Sequence, residues 1–300
     1  MKTMLTRRGL LGVLVIAAAA GSGGLYVSGA LSQGTTTIAA LAKETHFHGL
    51  AVDVSDSSRV YLATHHGLYV TGLDGRAQRI SEVRDYMGFT VHPTDATVLF
   101  ASGHPAGGGN LGFIVSRDAG RTWTRLSDGV GGPVDFHQMD ASKADPRVLY
   151  GVYQSLQRST DGGQTWQVVG PAPADIIALA ASSIDVNTLY AATQNGLLQS
   201  SDAGKSWKRH LERPTTMAHV AHDGTVYAFV VGMGLVRASE KNLVWRVVGK
   251  GFGDRILLHL AGDPRDSQRL YAVAHNSKTR TQGVITSRDG GEQWKVLGAD

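Results

Sequence analysis

The sequence predicts an all-β protein: a six-bladed β-propeller whose blades are four-stranded antiparallel sheets. Three observations carry this. First, an eight-residue phrase recurs, as "SRDAGRTW" (116–123), "STDGGQTW" (159–166), "SSDAGKSW" (200–207) and "SRDGGEQW" (287–294). Second, all five tryptophans, Trp123, Trp166, Trp207, Trp245 and Trp294, follow one another at spacings of 43, 41, 38 and 49. Third, a β-branched or leucine residue followed by an aromatic occurs six times, at Val60-Tyr61, Leu99-Phe100, Leu149-Tyr150, Leu189-Tyr190, Val226-Tyr227 and Leu270-Tyr271. Self-similarity at 40 to 50 residues marks a propeller or a solenoid.

The content of one period separates the two. Residues 175–211 read as "DIIALAA", a turn at "SSIDVN", "TLYAAT", "QNGLLQSS", the tryptophan phrase and "SWKRHL". These are short β-rich runs divided by Gly, Asn, Asp and Ser, with no helical period. Four antiparallel strands repeated radially close as a propeller. From Lys43 to Asp300 run 258 residues, 43 for each of six units, which leaves no chain for a seventh.

Each part of the phrase has a physical task. Glycine supplies positive φ, Asp and Ser/Thr side chains satisfy turn N–H groups, and tryptophan anchors one sheet on the next. The pattern S-x-D-x-G-x-T-W, with Asp118, Trp123, Asp161, Trp166, Asp202, Trp207, Asp289 and Trp294 in its key positions, resembles the Asp-box or BNR repeat of sialidases and other exported propellers. The box is absent from the first unit ("TGLDGRAQRI") and degraded in the fifth ("SEKNLVW", 239–245). The resemblance implies the fold and not an activity.

Domain organisation follows: a signal peptide or N-terminal anchor over 1–33, a linker over 34–42, and the propeller over 43–300. Lys2, Arg7 and Arg8 precede an uncharged stretch from Gly9 to Gln33, as in an export signal. "TRRGLL" resembles the twin-arginine signature of proteins exported already folded. "SGA" (28–30) offers a cleavage site, and an uncleaved segment is about long enough to span a bilayer. The expected location is therefore extracytoplasmic: secreted, periplasmic or anchored. Cysteine is absent, which excludes disulfides, thiolate metal sites, cysteine nucleophiles and a lipoprotein anchor. The net charge of +4 falls to +1 without residues 1–33, so no nucleic-acid partner is expected. The molecule is expected to be a monomer, with a small ligand or another exported protein as partner.

Strand order places the start of each first strand and the end of each second strand on one face, opposite the Asp-box turns. Thirteen residues before the aromatic marker stand His48, Met87, His137, Ile177 and Leu258; fifteen before stand His46, Asp85, Asp135, Asp175 and Ile256. Four after it stand His65, His104, Gln154, Gln194, Val231 and His275. Seven of twelve histidines (His46, His48, His65, His66, His104, His137 and His275) thus share a face. In "HFHG" (46–49) two histidines two apart project the same way, and Asp135 with His137 repeats that spacing. Imidazole and carboxylate suit zinc, copper or iron. The expected ligand set is His46, His48, His65, His66, His104, Asp135, His137 and His275, with His46, His48 and His137 as first metal candidates and zinc or copper as the ion. Such binding weakens as pH falls through about 6.5. His219 and His259 are expected in the core. The glycine-rich "SGHPAGGGNLG" (102–112) lacks the lysine and hydroxyl of a phosphate loop and reads as a surface loop.

Two alternatives stand beside the ligand-binding module. One is a sialidase-like glycosidase, which needs three arginines, a tyrosine–glutamate pair and an aspartate. Arg84, Arg255 and Arg280 are rim arginines and Tyr86 is adjacent, but Tyr86 shares the register of Phe47 and Phe136, no glutamate partner is identifiable, and the family's "RIP" motif is missing. No catalytic residue is assigned on this basis. The other alternative is a protein-interaction or assembly scaffold.

Overall fold

In the computed structural model, residues 34–299 are described; the expected signal or anchor at 1–33 lies outside them. Six inner strands surround a central channel: Phe47–Val52, Asp85–Val91, Gln138–Ala141, Ile176–Ala181, Thr215–Val220 and Arg255–Asp263. Each begins a sheet in which sequence-consecutive strands pair antiparallel, so the chain walks outward from the axis and returns to it six times. Among the described residues no helix is long and apolar enough to cross a membrane.

The inner strands are small where they crowd. A Cβ on Gly49 would lie 2.9 Å from Cβ of Phe89 in the next blade, so this position accepts only glycine without displacement. In four further blades and this one, the inner strand carries a register shift near its start, at Phe47/Gly49, Tyr86/Phe89, Ile176/Ala178, Thr215/Met217 and Leu257/His259. Bulges of this kind redirect a side chain. The residue released is His48 in blade 1, Ile177 in blade 4 and Leu258 in blade 6, all at the channel mouth.

The aromatic markers sit on the second strands and are buried, with Tyr61 and Tyr271 at 0% exposure. Several phenols tie one blade to the next: Tyr150 donates to the Val186 carbonyl (2.7 Å) and Tyr271 to the Ser57 carbonyl (3.1 Å). The five tryptophans occupy equivalent places, each in the apolar cluster between its own blade and the preceding one. Trp123 and Trp166 are buried, the other three are half-buried, and none is exposed.

Every intact box repeats one hydrogen-bond set. In the second blade, Ser116 Oγ accepts from Gly120 N–H and donates to Asp118 Oδ1, which also accepts from Arg121 and Thr122 N–H. The Trp123 indole N–H donates to the Gly120 carbonyl at 3.0 Å, and Trp166, Trp207 and Trp294 repeat this bond. The degraded box is one residue shorter, and its Trp245 indole N–H is buried without a partner. Box turns also donate to the loop between strands one and two, as Ala119 N–H does to the Thr97 carbonyl. This puts them on the face opposite the histidines.

Two expectations are corrected. The first sheet has five strands, because Thr35–Thr37 pairs outside Arg76–Arg79. The supposed linker over 34–42 is therefore structured, and it continues into a helix, Ile38–Glu44, N-capped by Thr37. The reason lies at the ring's closure. All strands of the last sheet come from the C-terminal end, so no exchanged strand joins the termini, and blade 1 has no box tryptophan. Ile38 and Leu41 of the helix instead enter the cluster between blades 6 and 1, against Tyr271, Val273 and Val284. Phe47 N–H donates to Gln282 Oε1 across the same seam (2.7 Å).

Candidate functional site: the histidine-rich mouth

Five of the eight expected ligand residues, His48, His65, His104, Asp135 and His137, come together at the channel mouth. Two groups form, each of two histidines and one aspartate with donor atoms within 4.8 Å of one another: His48, His65 and Asp85, and His104, Asp135 and His137. His46 is exposed, its ring 5.9 Å from that of His65, and belongs to neither group. Burial, and then the neighbouring His46, lowers the His275 pKa. His66 is exposed in a turn, where its N–H donates to Thr64 Oγ1. The first metal candidates His46, His48 and His137 are thus distributed between the two groups and their rim rather than gathered in one.

The second group is built by two blades. His104 ends the second strand of blade 2; Asp135 and His137 flank Phe136 just ahead of the inner strand of blade 3. Phe136 is fully buried against Trp166, and its N–H donates to Ser102 Oγ (3.0 Å), which also donates to the Gly112 and Val134 carbonyls. With Phe136 pinned, alternation sends Asp135 and His137 to one side. Asp135 Oδ2 meets His137 Nε2 at 2.6 Å and His104 Nε2 at 2.9 Å. The other side of the His104 ring settles its tautomer. Nδ1 lies 2.8 Å from the Gly109 carbonyl, which only accepts, so Nδ1 carries hydrogen. A neutral His104 therefore points a lone pair at a carboxylate oxygen, an arrangement that needs a proton or a cation between the two. Asp135 is 5% exposed, and its Oδ1 is buried with no hydrogen-bond partner. The Asp135 hydrogen bond, acting against burial, raises the His137 pKa.

The first group has the same outline. His65 Nδ1 meets Asp85 Oδ2 at 2.8 Å, and His65 Nε2 meets His48 Nε2 at 2.9 Å. Burial, then the neighbouring His65, pushes His48 down to about 3, so His48 is neutral at ordinary pH. Asp85 Oδ1 is also buried and unpartnered. Asp85 was absent from the expected set, although it shares the register of Asp135, which was the available signal. The groups adjoin, since Asp85 and His104 are direct partners in the blade 2 ladder.

The remaining candidates resolve plainly. The loop after His104 is anchored, with Leu111 N–H donating to the Gly103 carbonyl and Gly112 N–H to the Val134 carbonyl. Tyr86 is fully buried against Trp123, where burial pushes its phenol pKa up, a packing residue and no nucleophile. Arg84 is paired with Glu82 at 2.8 Å. His219 and His259 line the channel rather than the core, and burial depresses both.

The profile of the BNR/Asp-box repeat matches residues 157–168. Compared by sequence with curated proteins, the chain has no match. Among solved structures it is similar to the GH74 xyloglucanase from Xanthomonas campestris, at 20% identity over 84% of this chain and 45% of that one, with a TM-score of 0.56. The Niastella koreensis GH74 enzyme gives 16% identity, coverages of 84% and 45%, and a TM-score of 0.58. YCF48 bound to the D1 peptide gives 15% identity, coverages of 85% and 83%, and a TM-score of 0.53. The chain thus spans less than half the length of the GH74 enzymes, and at these identities the likeness concerns the fold. With four intact boxes, one degraded box and six radial sheets, the chain is a six-bladed β-propeller that carries BNR/Asp-box repeats.

Proposed function

We propose that this propeller is an exported binding module for a divalent transition metal, held by His104, Asp135 and His137. The observation that carries the reading is the convergence of two imidazole nitrogens on one oxygen of a buried carboxylate whose other oxygen has no partner. A buried, under-satisfied carboxylate is costly unless a cation compensates it. Two histidines and one carboxylate with open positions suit zinc or iron(II). The Gly109 carbonyl on His104 Nδ1 is the outer contact that orients a ligating imidazole. Export rests on Arg7 and Arg8 ahead of an uncharged stretch.

Zinc titrated calorimetrically into the wild type and an Asp135→Ala/His137→Ala variant tests this. Loss of one equivalent of zinc in the variant, with the thermal midpoint of the metal-free proteins unchanged, is expected. Equal binding by both proteins would overturn the reading. A scaffold role, by analogy with the peptide-bound YCF48, would then lead; turnover of an aryl glycoside would favour the glycosidase alternative.

A further inference from the structure

We infer that His48 and His65, oriented by Asp85, form a second metal site of imidazole-dominated character, one blade from the first, for copper(II) or zinc. The inference rests on the reading of the mouth as metal-binding, but on different residues. The two groups share no member, and each has its own buried carboxylate oxygen without a partner, Oδ1 of Asp85 and Oδ1 of Asp135.

The bonding pattern assigns the roles. Asp85 Oδ2 can only accept while ionised, so the His65 Nδ1 facing it at 2.8 Å carries hydrogen and His65 Nε2 is left as a lone pair. This is the carboxylate–histidine pairing that fixes a metal ligand's tautomer and raises its basicity. His48 Nε2 is aimed at that lone pair from 2.9 Å. In the metal-free state one proton bridges the two nitrogens. Tetrahedral ligands at 2.0–2.1 Å from an ion stand roughly 3.3 Å apart, so an ion replaces that proton after an opening of about 0.4 Å.

The backbone holds both ligands ready. His48 is the extra residue of the blade 1 bulge. His65 stands in a tight turn closed by Thr64 Oγ1, which donates to the Gly67 carbonyl and accepts from His66 N–H. The exposed His46 ring, 5.9 Å from His65, supplies a third imidazole after side-chain rotation. Here Asp85 acts from behind a nitrogen set, whereas Asp135 faces two imidazoles directly. That difference makes the first group the softer one, suited to copper(II). Because the groups adjoin, like-charge repulsion makes the second equivalent bind more weakly than either site does alone.

The test is stoichiometry in the full mature protein, with zinc and copper(II) each titrated separately and metal content measured after dialysis. The wild type is expected to hold two equivalents, and His48→Gln/His65→Gln and Asp135→Ala/His137→Ala one each. Copper(II) left in the Asp135→Ala/His137→Ala protein is expected to show nitrogen hyperfine splitting that changes in a further His46→Ala variant. One equivalent in the wild type, lost with Asp135 and His137 but kept by the His48/His65 variant, would overturn this inference and leave the proposed function standing. The reverse pattern would retain this site and overturn the other. Loss of all metal in both variants would show a single shared centre and overturn the two-site assignment.

Discussion

Gly162 and Gly163 are neighbours in one Asp-box, both with positive φ (76° and 89°), yet an alanine at each should have very different effects. At Gly162 an added Cβ meets nothing within 4 Å. The equivalent residues of two other boxes are already alanines at positive φ, Ala119 (57°) and Ala203 (63°). Gly162→Ala should therefore cost about 1–2 kcal/mol, the left-handed penalty alone. At Gly163 the Cβ would enter the ring of Phe113, with Cδ1 and Cζ both at 2.7 Å. Phe113 is fully buried and packs on Phe100 and Trp166, so it has nowhere to go. Overpacking at about 1–3 kcal/mol adds to backbone strain of about 1–3 kcal/mol, for a total near 4 kcal/mol. At roughly 2–4 °C per kcal/mol for a domain of this size, Gly163→Ala should melt about 8–16 °C below the wild type. Thermal and urea unfolding followed by circular dichroism would measure both variants. If Gly163→Ala fell within 1 °C of Gly162→Ala, the idea that box glycines are required by the neighbouring blade would be wrong.

Trp166→Ala should destabilise by about 3–5 kcal/mol, since the ring is buried between Phe113 and Phe136; Trp294→Ala, half-buried, should cost less in the same urea titration. Leu41→Ala should cost about 2–5 kcal/mol because Leu41 fills the one seam without a tryptophan, and limited proteolysis should then release the N-terminal helix first. Acid should act through the boxes. At Asp202 the Ser206 hydroxyl and N–H lower the carboxyl to about 2; at Asp161 burial is the largest single effect and opposes the shift, but the combined bonds from Thr165 and Ser159 still bring it to about 2. Depressed folded-state values mean the linked stability is complete above the usual 3.8 and is lost as pH falls toward about 2; Asp161→Asn should show a shallower fall of urea midpoint across that window. Changing Arg7 and Arg8 together to Lys should leave the precursor in the cytoplasm, and unaltered export on fractionation would refute the folded-export proposal.

Repetition is what made the fold legible in the residues alone. Most blades solve the same local problem, a sharp reversal followed by an apolar anchor, so the same residue types recur at Asp118, Asp161, Asp202 and Asp289, and together with the six aromatic markers they identify six sheets without any knowledge of contacts. Strand order then assigned a face to His48, His65, His104 and His137, because alternation and turn direction are local properties of the chain. Which of these groups come together was not local. That depended on the inner-strand bulge that releases His48, on Ser102 pinning Phe136 from the neighbouring blade, and on the ladder that sets Asp85 beside His104. Closure was equally a tertiary matter. The segment 34–42 has no repeat signature and reads as a linker, yet it is ordered because the last seam lacks a tryptophan and the apolar side of the helix can fill it. Periodic hydrogen-bonding and packing demands are written into neighbouring residues, whereas ring closure and the pairing of donors across blades arise only when distant strands are brought around one axis.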